Sequence, residues 1–416
     1  MERLASVISG RLFPRRHTGQ AILLIYLCTF LGALAFYQPV NVLYLGSRGL
    51  SLAQVLLLES FLLVFMLLTE LPSGYLSDWL GCKSVIVAGF AFAAAAQVVY
   101  ACAASFTGFA VSSALYGVSI ACLSGSRDTY LIGHLERLGM TGDRHTGDIY
   151  GKITALGLYA GVLSSLAGAQ LARVSLAVPA VATAVAACVA LLIALFLPAP
   201  PVPAHPDVSG RAPSWPTALR TVLRSRVLLY FALTPTFALF ASVNSIAQVK
   251  LTDFGVRVGW LGVLFAAATL LAALASHQSG RMAQRWGTRK VHLLAVAGGG
   301  LAYLIGALPG PVPIIGATIC AAVFMNVRSP VSAVIMNTQM APSLRASMFS
   351  VCGLISGCVG ALINPGIGYL AERSGDLALA AIGCTLLGLT GVWHGVSRHD
   401  ARQQPGAVLS DSREGS

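Results

Sequence analysis

Long apolar runs follow one another along the chain, separated by short polar or glycine-rich breaks. A bilayer core of about 30 Å takes about 20 apolar residues per helix. By that measure the pattern predicts spans near 21–45, 51–72, 84–104, 109–133, 149–171, 175–197, 226–249, 258–279, 291–308, 313–338, 346–370 and 376–396. In hydrocarbon only helices or closed barrels satisfy every backbone polar group, and these runs are too long and too continuously apolar for barrel strands of about ten residues. The predicted fold class is an all-α membrane protein with twelve transmembrane helices. The first run is longer than a signal-peptide core and has no clear small-residue cleavage site, so it is expected to stay as a span.

The strongest interruption falls at 198–225, where PAPPVPAHPDVSGRAPSWP reads as a linker between residues 1–197 and 226–397, with a polar tail at 398–416. The end of the linker reads either as an interfacial helix, with Trp215, Leu219, Val222 and Leu223 on one face and Arg220 and Arg224 on another, or as a solvated connector. Composition agrees with the pattern: 56% of residues are apolar and 10% charged, against about 25% charged in soluble domains, which excludes an ordinary water-soluble protein. The net charge of +12 raises nucleic acid as a partner, but no basic stripe with interleaved aromatics is present. The basic residues sort by side instead. With the N-terminus inside, the outer loops hold Arg48, Arg173, Lys250, Arg257 and Arg373, Arg127 and Arg328 fall within spans, and the other 20 of the 27 lie inside. The positive-inside rule then places both termini in the cytoplasm and the chain in the cytoplasmic (inner) membrane. Nine cysteines are scattered without a CxxC or a histidine at metal-ligand spacing, and read as small buried hydrophobes. No metal or cofactor is expected, and no nucleophile–base pair or phosphate loop suggests an enzyme.

An internal repeat spans half the length. Gly74-Tyr-Leu-Ser-Asp78-Trp-Leu-Gly81-Cys-Lys83 follows the second span, and Gly280-Arg-Met-Ala-Gln284-Arg-Trp-Gly287-Thr-Arg289 follows the eighth, every matched pair lying 206 residues apart. Leu45 and Gly49 match Leu251 and Gly255 at the same offset, whereas Arg127 and Arg144 match Arg328 and Arg345 at 201. Two halves of shared ancestry follow. Glycines at these places suit a tight turn and close helix approach. Asp78 can accept from a helix N-terminus or pair with an arginine, a contact that would hold an inner gate shut; a solvated turn is the alternative. Gln284 replaces the acid in the second copy, which predicts a weaker tie there.

This repeated loop resembles the loop motif of the major facilitator superfamily. Glu70-Leu-Pro72-Ser-Gly74 is similar to the entry to that motif in many bacterial members, Ser124-Gly125-Ser126 resembles their fourth-span Ser-Gly-Ser, and Asn337, Pro342 and Arg345-Ala-Ser fit as well. The resemblance covers nearly the whole chain. It implies two pseudo-symmetric six-helix bundles, a central cavity and alternating access, with Glu70, Pro72, Gly74, Asp78, Gly81, Lys83, Gly280, Gln284, Gly287 and Arg289 in the gating motif. The chain departs from the family's drug–proton antiporters: Ser112 and Ser113 stand where they carry an arginine early in the fourth span, and Gly157, Gly161 and Gly168 occur in the fifth without a proline. That sets it apart from a standard multidrug antiporter.

Charges inside a span are costly and mark function by default. Glu59 sits about 12 Å along its helix, eight residues past Ser51 at 1.5 Å each, in the run Val55-Leu-Leu-Leu-Glu59-Ser-Phe-Leu-Leu. It is a proton-carrier candidate, or else a neutral hydrogen-bonded structural acid; Asp128 is a second candidate of the same kind. Arg127 and Arg328 are repeat-related, and two guanidinium forks suit a carboxylate, phosphate or catecholate. Their alternative is structural: Arg127 paired with Asp78 or Asp128, Arg328 capping carbonyls. Gln38 and Asn41 in the first span and Asn244 and Gln248 in the seventh are candidates for substrate contact or for interhelical hydrogen bonds. Tyr37, Tyr44, Tyr130, Phe237 and Phe240 suit either ligand stacking or packing. The function expected is secondary active transport of a small organic molecule across the bilayer, driven by protons, with export favoured over uptake. Movement of an anionic, siderophore-like metallophore is the alternative, and a transporter-like sensor or scaffold a further one.

Overall fold

The computed structural model describes residues 19–137, 143–198, 215–340 and 345–403. Residues 1–18, most of the linker, Pro342 and the tail from 404 onward lie outside the described residues, as do the side chains of Asp78, Arg144 and Phe237. The described residues form helices and no strand. In chain order they are α1 (Gly19–Gly32), a 3-10 turn (Gln38–Val40), α2 (Asn41–Ser47), α3 (Leu52–Leu80), α4 (Cys82–Cys102), α5 (Phe106–Arg137), α6 (Asp143–Leu171) and α7 (Val178–Leu195). After the linker come α8 (Trp215–Arg224), α9 (Arg226–Leu233), α10 (Thr236–Asp253), α11 (Val258–Trp286), α12 (Thr288–Gly306), α13 (Pro311–Thr338), α14 (Arg345–Arg373) and α15 (Gly375–Gln403).

Among the described residues, nine helical stretches are long and apolar enough to cross a membrane, and Gly19–Gly32 and Ala155–Leu171 are shorter apolar helices. The first expected span is not one helix. The chain leaves helical geometry after Gly32 and turns through Gln38-Pro39-Val40 before α2, because proline fixes φ and removes a backbone donor. The seventh expected span is divided likewise: Thr234 is extended at φ −101° and ψ 98°, as the residue before Pro235 is pushed away from helix. α12 opens on Arg289, Lys290 and His292, which lowers its apolarity. The last helix runs six residues into the expected tail, to Gln403.

The motif loops also differ from expectation. α3 continues through Gly74 and Asp78 to Leu80, and α11 through Gly280 and Gln284 to Trp286, so each loop shrinks to one glycine. Gly81 at φ 81° and Gly287 at φ 84° supply the left-handed turn that other residues rarely adopt. Gly74 and Gly280, in contrast, face open space and support no close helix approach.

Contacts divide the chain into two units, each borrowing one segment from the other repeat. The first unit comprises the described residues of Met1–Leu50, Phe61–Asp207 and Arg257–Ala266; the second those of Ser51–Ser60, Val208–Val256 and Ala267–Ser416. The exchanged segments match at the repeat offset of 206. In the first unit α4 packs on α5 and α7, burying Gly89, Ala93, Ala96 and Tyr100 along one helical face, and Ile25, Ile86, Phe90 and Tyr130 fill a core. There α11 also meets α6: a Cβ at Gly262 would lie 2.3 Å from the Ser165 carbonyl oxygen. In the second unit α12 packs on α13 and α15, around Tyr230, Phe231, Val291, Met348 and Trp393. α3 meets α14 in that unit, where a Cβ at Gly368 would lie 2.6 Å from the Ala53 Cα. Only glycine permits either approach. Four of the nine cysteines are buried, while Cys102, Cys320, Cys358 and Cys384 are exposed, against the expectation for them.

Candidate functional site

In the first unit, the break between α1 and α2 brings Tyr37 onto Tyr100 of α4, with ring centroids 4.6 Å apart in a stacked pair. Tyr44 and Phe109 surround the same ring at 5.4 and 5.3 Å. The Tyr100 hydroxyl donates to Asn41 Oδ1, so Asn41 is held by a tyrosine that the span pattern did not single out. Tyr44 is buried and donates to the carbonyls of Tyr100 and Ala101. Tyr130 is buried too, donating to the Pro198 carbonyl at 3.0 Å. Gln38 is exposed, and Arg127 and Asp128 are half-buried on α5. The Arg127 Nε is buried without a hydrogen-bond partner among the described residues.

The repeat counterpart in the second unit is recognisable. Phe240 packs edge-on against Tyr303 at 6.0 Å, both 203 residues beyond Tyr37 and Tyr100, the offset that also separates Asn41 from Asn244. Here, however, the tyrosine hydroxyl donates to the backbone carbonyls of Leu239 and Phe240, at 2.7 and 3.0 Å. Asn244 stays half-buried on α10 and is not engaged by it; Gln248, one turn on, is buried.

Glu59 is carried into the second unit by the first third of α3. It is hydrogen-bonded to the side chain of Ser245 on α10, itself buried. The adjacent Ser60 hydroxyl donates to the Ala361 carbonyl of α14 at 2.9 Å, and Glu372 at the end of α14 accepts the Ala53 backbone N–H at 2.9 Å. A carboxylate at a helix N-terminus satisfies an amide that has no intrahelical acceptor and complements the helix dipole.

Arg328 on α13 lies in a directed polar chain. The Ser332 hydroxyl donates to the Arg328 carbonyl at 2.8 Å, which leaves its oxygen to accept from His292 Nδ1 at 3.0 Å. His292 Nε2 is then free to accept from the Tyr230 hydroxyl at 3.4 Å, an assignment of a neutral imidazole made from the network. Trp393 and Phe231 enclose the imidazole at 4.7 and 5.2 Å. The Arg328 Nη1 reaches Ser332 Oγ only at 3.5 Å, a weak contact, and its Nε is buried without a partner among the described residues. Neither Arg127 nor Arg328 forms an ion pair among the described residues. Arg127 belongs to the first unit and Arg328 to the second.

The two motif copies carry different ties. In the second, Arg289 pairs with Asp400 and donates to the Ser397 carbonyl at 3.1 Å. Gln339 donates to the same carboxylate at 3.3 Å, and the Trp393 indole N–H reaches the Arg289 carbonyl at 3.2 Å. Gln284 is exposed. In the first copy Glu70 and Pro72 are exposed, Lys83 is half-buried, and Ser73 donates to the Ala121 carbonyl at 3.2 Å. Lys250, expected in an outer loop, is instead buried at the end of α10. Its ammonium donates to the carbonyls of Gly306 and Leu308 at 2.6 and 3.0 Å, where α12 ends, and pairs with Asp376 in the first turn of α15 at 2.5 Å. A cation at open helix-end carbonyls is favourable twice over, through hydrogen bonds and through the dipole.

The model of the Major Facilitator Superfamily matches residues 22–260. Among solved structures the chain is similar to a single-residue variant of the nucleoside transporter NupG, with a TM-score of 0.75 at 15% identity over 92% of this chain and 99% of that one. It is also similar to a bacterial homologue of the human lysosomal transporter Spinster, with a TM-score of 0.74 at 16% identity over 93% and 97%. The peptide transporter POT follows with a TM-score of 0.70 at 14% identity over 92% and 95%. No curated protein sequence matches the chain.

Proposed function

Because the chain belongs to the major facilitator superfamily, and is a multi-pass membrane protein of that type, we propose that it is a secondary active transporter coupling a small organic cargo to protons. The observation that carries this reading is Glu59: one carboxyl in an apolar run, hydrogen-bonded to Ser245 of the other repeat. A group that binds a proton in one arrangement of these helices and releases it in another ties cargo movement to the gradient. In this reading twelve spans lie in the cytoplasmic membrane with both termini inside, the two halves alternate access to a central cavity, and export is the preferred direction. Nucleoside and peptide transporters among the structural relatives are compatible with a small organic cargo.

The test uses proteoliposomes with an imposed pH gradient and a cargo found by thermal-shift screening. Wild-type protein is expected to concentrate the cargo, and dissipating the gradient to abolish accumulation. Accumulation that ignores the gradient would remove the proton from the proposal.

One observation favours an anionic cargo as a second reading: the Nε atoms of both Arg127 and Arg328 are buried without a partner among the described residues. An unpaired buried donor on a guanidinium group is costly, and an anion bound at either arginine would satisfy it there. Arg127→Gln and Arg328→Gln are then expected to weaken binding of a carboxylate or phosphate cargo far more than of a neutral one. Equal loss for both cargo classes would favour purely structural arginines.

A further inference from the structure

The end of the second unit that carries α8 holds a cavity of about 320 Å³. It forms where one helix hands over to the next: Arg224 ends α8, Ser225 caps α9 by accepting the Leu228 N–H at 3.3 Å, and Arg226 is the first residue of α9. Gln339 from the end of α13 and His399 and Asp400 from α15 complete the wall.

The charges on that wall do not balance. Its one carboxylate, Asp400, is already paired with Arg289, which lies outside the lining, and accepts from Gln339 as well. Arg224 and Arg226 are exposed and have no ion-pair partner among the described residues. Two guanidinium forks beside a cavity, uncompensated by any free acid on its wall, match a tetrahedral phosphate anion in charge and in hydrogen-bonding geometry. The first turn of α9 adds the positive end of a helix dipole.

α8 itself points to where such an anion is abundant. Ala218 and Val222 are buried against the unit while Arg220 and Arg224 are exposed, and Leu223 is 53% exposed beside them. A short helix with a packed apolar face, exposed arginines and an exposed leucine suits the boundary between headgroups and acyl chains. We infer that this cavity binds a phosphate group through Arg224 and Arg226, supplied either by an anionic phospholipid headgroup or by a soluble phosphate compound.

The experiment uses the full chain, delipidated in detergent, with two probes. Native mass spectrometry compares retention of phosphatidylglycerol and phosphatidylcholine, and thermal unfolding is followed during titration with inorganic phosphate. Selective retention of phosphatidylglycerol identifies the lipid source; a saturable rise of the midpoint with phosphate identifies the soluble one. In either case the Arg224→Gln/Arg226→Gln double variant is expected to weaken binding about tenfold, the scale on which charge-assisted hydrogen bonds act. Arg220→Gln, on the same helix but outside the cavity, is expected to bind as wild type. Should the double variant fail to fold, Arg226→Gln alone decides, with a smaller loss expected. Failure of both probes to bind, undiminished binding by the arginine variants, or an equal loss in Arg220→Gln overturns the site.

Discussion

The segments Ser51–Ser60 and Arg257–Ala266 hold the same place in the repeat, open matching helices, and each packs in the unit formed mainly by the other half. Their side chains differ. The first contributes Glu59 to Ser245, Ser60 to the Ala361 carbonyl and the Ala53 N–H to Glu372. The second has Phe265 where the first has Glu59, contains no carboxylate, and approaches α6 through Gly262 at Ser165. Symmetric backbone therefore does not require symmetric interactions. Both crossings close on a glycine, Gly368 in one and Gly262 in the other, while the carboxyl group lies in the first segment.

Four substitutions break or sharpen that contrast. Glu59→Gln is expected to have the largest effect: with one proton per cargo, a one-unit pH step supports about tenfold accumulation, and the variant should show none while still exchanging cargo. Wild-type accumulation in proteoliposomes would make Glu59 structural and leave Asp128 as the intramembrane acid to test. Phe265→Glu added to Glu59→Gln moves the acid to the second segment. It should confer no coupling and destabilise by about 3 kcal/mol, the usual scale for a charge placed in a span, seen as a lowered unfolding midpoint in detergent.

Gly262→Val attacks the steric crossing, where any Cβ meets backbone. Overpacking of that kind costs about 1–3 kcal/mol, and an unfolding midpoint equal to wild type would show that the approach relaxes freely. Glu372→Gln is the mildest, removing a charge from a helix N-terminus at an exposed site. A loss of about 0.3–1 kcal/mol is expected, diminishing in high salt; a larger, salt-independent loss would mean that the contact is not electrostatic.

The repeat offset of 206 was readable in the sequence and located both motif glycines and the paired helices α3 and α11. The helical state of the motif was masked by Gly74 and Asp78, which read as turn residues, although Tyr75, Leu76, Trp79 and Leu80 keep helical spacing. The break at Gln38–Val40 was hidden for the converse reason: long apolar runs flank it on both sides, and only Gln38, Pro39 and Asn41 mark it. Glu59 stood out by its isolation, but Ser245 did not, since a serine in an apolar run is an ordinary residue there. Tyr100 and Tyr303 were recoverable from the offset of 203 that Asn41 and Asn244 share, although the offset says nothing of where their hydroxyls point. His292 sits next to charged residues at the start of α12, and its bond to Ser332, 40 residues away, has no sequence signature.

The tie between Arg289 and Asp400 bears on how short the polypeptide can be made. A stop codon after Gln403 spares the carboxylate, whereas one after Ser397 removes it and leaves Arg289 and Gln339 without the acceptor they share. Hydropathy places the end of the last membrane segment near residue 396, yet the contacts of the final helix extend past it, to the Asp400 side chain that fastens it to the start of α12.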